Sequence, residues 1–161
     1  MRNLAHLLRA LIIAFACAGV LAYAAAALVT VADIIGRQVG APIAGVVDLV
    51  QLFVVGGAWL AIPYAFMTGA HVGVDLIVEA FPKAAERTLR IIAGLAAMAL
   101  VALMLVYCYE AFQQQLMFGD RSQQLGIPII WYWVPLLFGM VLSIIATALA
   151  IFNASRTQAV S

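Results

Sequence analysis

Residues 10–32 read ALIIAFACAGVLAYAAAALVTVA, twenty-three positions without an Asp, Glu, Lys or Arg. A bilayer core of about 30 Å needs about 20 apolar residues of helix, and lipid tolerates no unpaired backbone. The stretch therefore predicts a membrane span. Three further uncharged stretches follow at 49–70, 91–109 and 122–155, the last containing an apolar segment of 26 residues from Ile127 to Phe152. The whole chain has 161 residues, 67% hydrophobic and only 9% charged, which leaves too little polar surface to cover a water-facing globule. An all-α integral membrane protein is expected. It forms one membrane domain over 1–161, with transmembrane helices at approximately 10–33, 46–70, 88–112 and 127–152.

Cations set the expected orientation. With the N-terminus cytoplasmic, Arg2, Arg9, Lys83, Arg87, Arg90 and Arg156 lie inside, against Arg37 and Arg121 outside, as the positive-inside rule requires. Both termini are thus expected in the cytoplasm. The first stretch shares features with a signal peptide, but its apolar run is too long and three more spans need an N-in start, so it reads as a retained helix. Cys17 and Cys108 fall inside predicted spans without C-x-x-C spacing and read as small apolar side chains.

The connectors carry the pattern. Ala18, Ala22 and Ala26, four apart, predict a small-residue packing stripe on the first helix. Asp33 and Arg37 follow at i, i+4, where they can pair. Gly36, Gly40 and Pro42 interrupt the helix, and Asp48 falls in the first turns of the next, where the helix dipole favours a carboxylate or where it could meet another subunit. Between the second and third spans, Val74, Ile77, Val78 and Phe81 share one helical face, while His71, Asp75 and Glu79 recur every four residues on another. This predicts a short amphipathic segment lying on the inner leaflet. Metal binding by that trio is the sharper alternative, but spacing alone does not show that all three converge and no other His or Cys is near. No metal or cofactor is expected. The third helix should continue past lipid through Glu110 and Gln113–Gln115. Trp131-Tyr132-Trp133 reads as an interfacial aromatic belt.

Catalytic equipment is thin. The chain has two histidines, both expected on the inner side, so axial haem ligands in mid-membrane are not offered, and no phosphate-binding loop or nucleophile elbow occurs. All seven acids lie at the ends of spans or between them, whereas a self-sufficient ion-coupled carrier holds one inside. An enzyme is not expected. A small homo-oligomeric four-helix carrier is the alternative function, and a respiratory anchor subunit a third.

Three stretches together resemble one family. They are Gly36-Arg37 through Gly40-Ala41-Pro42-Ile43 to Asp48; Gly69-x-His71-Val72-x-Val74-Asp75-Leu76-Ile77 with Phe81-Pro82; and Ser122-x-x-Leu125-Gly126-Ile127-Pro128 with Trp131 and Pro135. In order and spacing the chain resembles the small Q-type (DctQ-like) membrane subunit of tripartite ATP-independent periplasmic (TRAP) transporters, although Gly45 and Asp48 stand where the family often has an aromatic residue and Glu. The resemblance implies an accessory role in the bacterial inner membrane. A large multi-span subunit would move the solute, commonly an organic acid, by symport with an ion, typically sodium. A periplasmic substrate-binding protein would deliver that solute, and the small subunit would stabilise the large one within membrane lipids. By the same resemblance Arg37, Asp48 and Arg121 are expected to serve outer contacts, His71 and Asp75 an inner structural motif, and Pro42 and Trp131 are expected as interface or structural positions. No nucleic acid is involved.

Overall fold

The structure is a computed structural model and describes residues 2–68 and 83–156. The predicted amphipathic segment, with His71, Asp75 and Glu79, lies outside the described residues. The described residues form four helices: α1 (Arg2–Gln38), α2 (Val46–Thr68), α3 (Lys83–Phe118) and α4 (Ile130–Arg156). Each contains a stretch long and apolar enough to cross a membrane. The chain is a multi-pass membrane protein. At 1.5 Å per residue, α1 is about 55 Å long and α3 about 54 Å, so both exceed a bilayer core.

Their packing is serial. α1 lies on α2, α2 on α4 and α4 on α3, which makes an open row with α1 and α3 at its two edges. Beyond this row the contacts are slight, such as Phe15 edge-on to Phe138 with ring centroids 5.1 Å apart. Burial is correspondingly sparse. Leu21, Leu28, Leu103 and Val106 are among many large apolar side chains left exposed on the edge helices, as expected where lipid or another chain is the solvent.

The buried positions on α1 are Ile12, Gly19, Ala26 and Asp33, seven apart. This corrects the expected stripe: Ala26 is buried and Ala22 half-buried, but Ala18 is exposed. A four-residue step drifts about 40° around a helix, whereas a seven-residue step drifts only about 20° the other way. A seam this long therefore follows heptads. Gly19 is where the backbones touch: a Cβ there would stand 2.6 Å from the Gly57 carbonyl oxygen of α2, and one on Gly57 would stand 2.9 Å from that of Gly19.

The inner helix of the row needs two seams. On α4, Tyr132, Gly139 and Ala146 are buried at seven-residue spacing, and so are Met140 and Thr147 beside them. Gly139 lies against the Trp59 main chain of α2, while Thr147 and Ile151 lie over Gly94 of α3. The hydroxyls of buried Ser143 and Thr147 donate to the carbonyls of Gly139 and Ser143, both at 2.8 Å, so neither is left unpaired. Such back-bonding lets polar side chains sit between helices where water is absent.

The heptad seam makes a discriminating prediction. Gly19→Leu should force α1 from α2 and cost about 1–3 kcal/mol, seen as a lower unfolding midpoint in detergent. Ala18→Leu, one residue away on the exposed side, should leave that midpoint unchanged.

Candidate functional site at the paired connectors

Both helices that run toward this end of the row stop in the same way. The Ala41 N–H donates to the Gly36 carbonyl and the Gly40 N–H to that of Arg37, with Gly40 at φ +77°. On α3, the Asp120 N–H donates to Gln115 and the Gly119 N–H to Leu116, with Gly119 at φ +66°. These are Schellman caps, in which a left-handed residue just past the helix lets the last carbonyls be satisfied. A side chain would strain that backbone, so glycine occupies both places.

A buried carboxylate then braces each connector. Asp33, 5% exposed, accepts from Arg37 Nε at 2.7 Å and from the Ile43 backbone N–H at 2.9 Å. The expected i, i+4 pair is thus present, and it does more than pair: Pro42 has no N–H to offer, and Asp33 takes the first donor beyond it. Arg37 itself is largely exposed, so the ion pair is worth little beside the backbone bond.

Asp48 is also 5% exposed, and its Oδ2 accepts from the backbone N–H groups of Gln124 at 2.9 Å and Leu125 at 2.7 Å. The carboxylate in the first turn of α2 therefore caps the distant α3–α4 connector. Its own carbonyl accepts from the Tyr132 hydroxyl at 3.0 Å, a bond fully inside the structure. Next to it, Gly45 holds φ +72°, and the Leu125 side chain fills the space where a Cβ would be. The two connectors clasp each other through one carboxylate and one knob.

The α3–α4 connector is shaped to offer those amides. Ser122 and Ile127 face each other, the Ser122 N–H donating to the Ile127 carbonyl and the Ile127 N–H to Ser122 Oγ, both at 2.9 Å. Gly126, at φ +64°, donates its N–H to the Ser122 carbonyl, and its own carbonyl accepts from Arg121 Nη1 at 3.2 Å. Arg121 is thereby placed on the loop rim. Beside the clasp is a cavity of about 320 Å³ lined by Asp48, Gln51, Arg121, Gln123, Gln124 and Tyr132, among others.

The aromatic triplet divides, which corrects its reading as one belt. Trp131 is 63% exposed and faces outward, as an interfacial anchor does. Tyr132 points inward to Asp48. Trp133 turns to α3, its indole N–H donating to Gln115 Oε1 at 2.6 Å and its ring lying 6.0 Å from that of Phe112.

Residues 26–157 match the family of tripartite ATP-independent periplasmic transporters, DctQ component. The chain belongs to this family. It is the small membrane subunit of a TRAP transporter, a transport component. No curated protein matches it. Of the residues the family resemblance singled out, Arg37, Pro42, Asp48, Arg121 and Trp131 gather at this one end of the DctQ fold, and His71 and Asp75 are outside the described residues. Among the described residues no group of three His, Cys, Asp or Glu comes together as a metal site would. Gly45 stood out in the sequence only as a departure from the family pattern and Tyr132 only as part of the aromatic belt, while Gln124 was not singled out. Asp48 and Leu125 both stood in stretches that carried the resemblance, and the structure supplies the reason: the first accepts from the backbone N–H of the second.

Each carboxylate should protect its own amides. Asp48→Ala should raise hydrogen exchange at Gln124 and Leu125 by up to about tenfold, since these part-buried donors lose their acceptor at a cost on the order of 1 kcal/mol, and leave Ile43 unchanged. Asp33→Ala should do the reverse.

Proposed function

We propose that this subunit acts as an accessory scaffold. It lies along a large transport subunit, holds that subunit's static part in the bilayer, and has no solute path of its own. The observation that carries the reading is the open row of helices. Among the described residues α1 and α3 each pack mainly on one neighbour and expose long apolar faces, yet the connectors at one end are locked by buried carboxylates. A carrier encloses a polar path between its helices, with ionisable groups along it. Here the only buried side-chain charges among the described residues, Asp33 and Asp48, are consumed in bracing backbone.

In this reading the termini are cytoplasmic, in keeping with the cation distribution. The clasped connectors, with Arg37 and Arg121 on their rim, then face the periplasm and the substrate-binding protein. The large subunit performs symport of an organic acid with an ion, sodium in the usual case. The conformational work falls to that subunit, while a braced neighbour supplies a surface that does not move.

Reconstitution tests the role directly. Proteoliposomes containing the large subunit, loaded binding protein and an ion gradient should take up solute only when this chain is present. Equal uptake without it would overturn the reading, and proton-coupled export by the purified chain alone would favour the homo-oligomeric carrier instead.

A further inference from the structure

A groove of about 660 Å³ runs between α3 and α4 on one side of the row. Its walls are Leu105, Val106, Phe112, Val134, Phe138 and Val141, apart from one charged residue, Glu110. In the sequence Glu110 reads only as part of the extension of the third helix. Its place in the groove gives it another meaning.

Glu110 is exposed and has no hydrogen bond or ion pair among the described residues. Its polar neighbours Tyr109 and Gln113 are bonded to each other at 2.6 Å. The cations that share this end of the fold are committed elsewhere, Arg37 to Asp33 and Arg121 to the Gly126 carbonyl. Arg90 is 20 residues earlier on α3, about 30 Å away along the helix. Glu110 shares its groove with Val134 and Phe138, one to two turns beyond the exposed Trp131 toward the apolar centre of α4. With Trp131 taken as the interfacial anchor, this is the edge of the hydrocarbon layer and not the water beyond it, and a lone carboxylate there is costly unless it finds a cation. A wall of branched and aromatic side chains ending in an acid accepts an apolar helix that carries a base at the matching level.

We propose that this groove seats a membrane helix of the large transport subunit, with a Lys or Arg of that helix paired to Glu110. The inference rests on the accessory role proposed above and selects α3 and α4, rather than the α1 edge, as the docking face. Pairing at an apolar depth also sets the register of the two subunits, because sliding by one turn would separate the charges.

A photoreactive phenylalanine analogue at Val106 or Val141, in the complete transporter in native membranes, should give an adduct with the large subunit. Glu110→Lys should lower that adduct at least tenfold, Glu110→Gln should lower it less, and Glu110→Asp should retain it. Adducts with lipid alone, with a second copy of this chain, or equal yield in the Glu110→Lys protein would overturn the proposal. If the subunits co-purify but cross-link only from Leu21 or Leu28 on α1, the docking face is wrong while the accessory role stands. Failure to co-purify in lipid nanodiscs removes both.

Discussion

The Asp48 carboxylate holds together two parts of the chain that are 76 and 77 residues apart. Without it, α1 with α2 and α3 with α4 would be two hairpins joined at this end by little more than apolar contact. Inside lipid such contact discriminates weakly, because acyl chains are as apolar as leucine. A carboxylate that accepts two N–H groups is directional, and charge-assisted bonds of this kind are stronger than neutral ones. Gly45 and Leu125 add a steric lock next to it, and the Tyr132 hydroxyl returns to the Asp48 main chain. One residue thus takes part in aligning three elements.

An open row of helices is an unusual resting shape for an isolated polytopic chain, and it has consequences. A closed bundle of four helices buries a face of each against two neighbours. In this row only α2 and α4 have two neighbours, and the glycines cluster accordingly: Gly19 and Gly57 between α1 and α2, Gly139 between α2 and α4, Gly94 between α4 and α3. Close backbone approach at these seams provides van der Waals contact without large side chains, which is the main source of helix association in a bilayer. The wide apolar faces that remain on the edge helices are surface a larger partner can use.

Much of this was legible in the chain, but unevenly. Four spans follow from length and lack of charge, and the break after α1 from Gly40 and Pro42, because these depend on local chemistry alone. The Asp33–Arg37 pair was legible for the same reason, being one helical turn apart. The Ala18, Ala22 and Ala26 stripe misled because four-residue spacing looks periodic over two turns and drifts off the face over a full span. Trp131, Tyr132 and Trp133 looked alike in sequence and have three different environments, since adjacent residues on a helix point about 100° apart.

Residence in a membrane, the number of possible crossings and the family resemblance are all readable along the chain, because hydrophobic length and short motifs are properties of contiguous residues. The row of helices, the bracing of a distant connector by Asp48, and the place of Glu110 as the one charged group among the described residues lining an apolar groove emerge only in three dimensions. Each of those is a relation between residues far apart in the chain, and in lipid such relations are set by shape and by a few directional bonds, not by hydrophobicity.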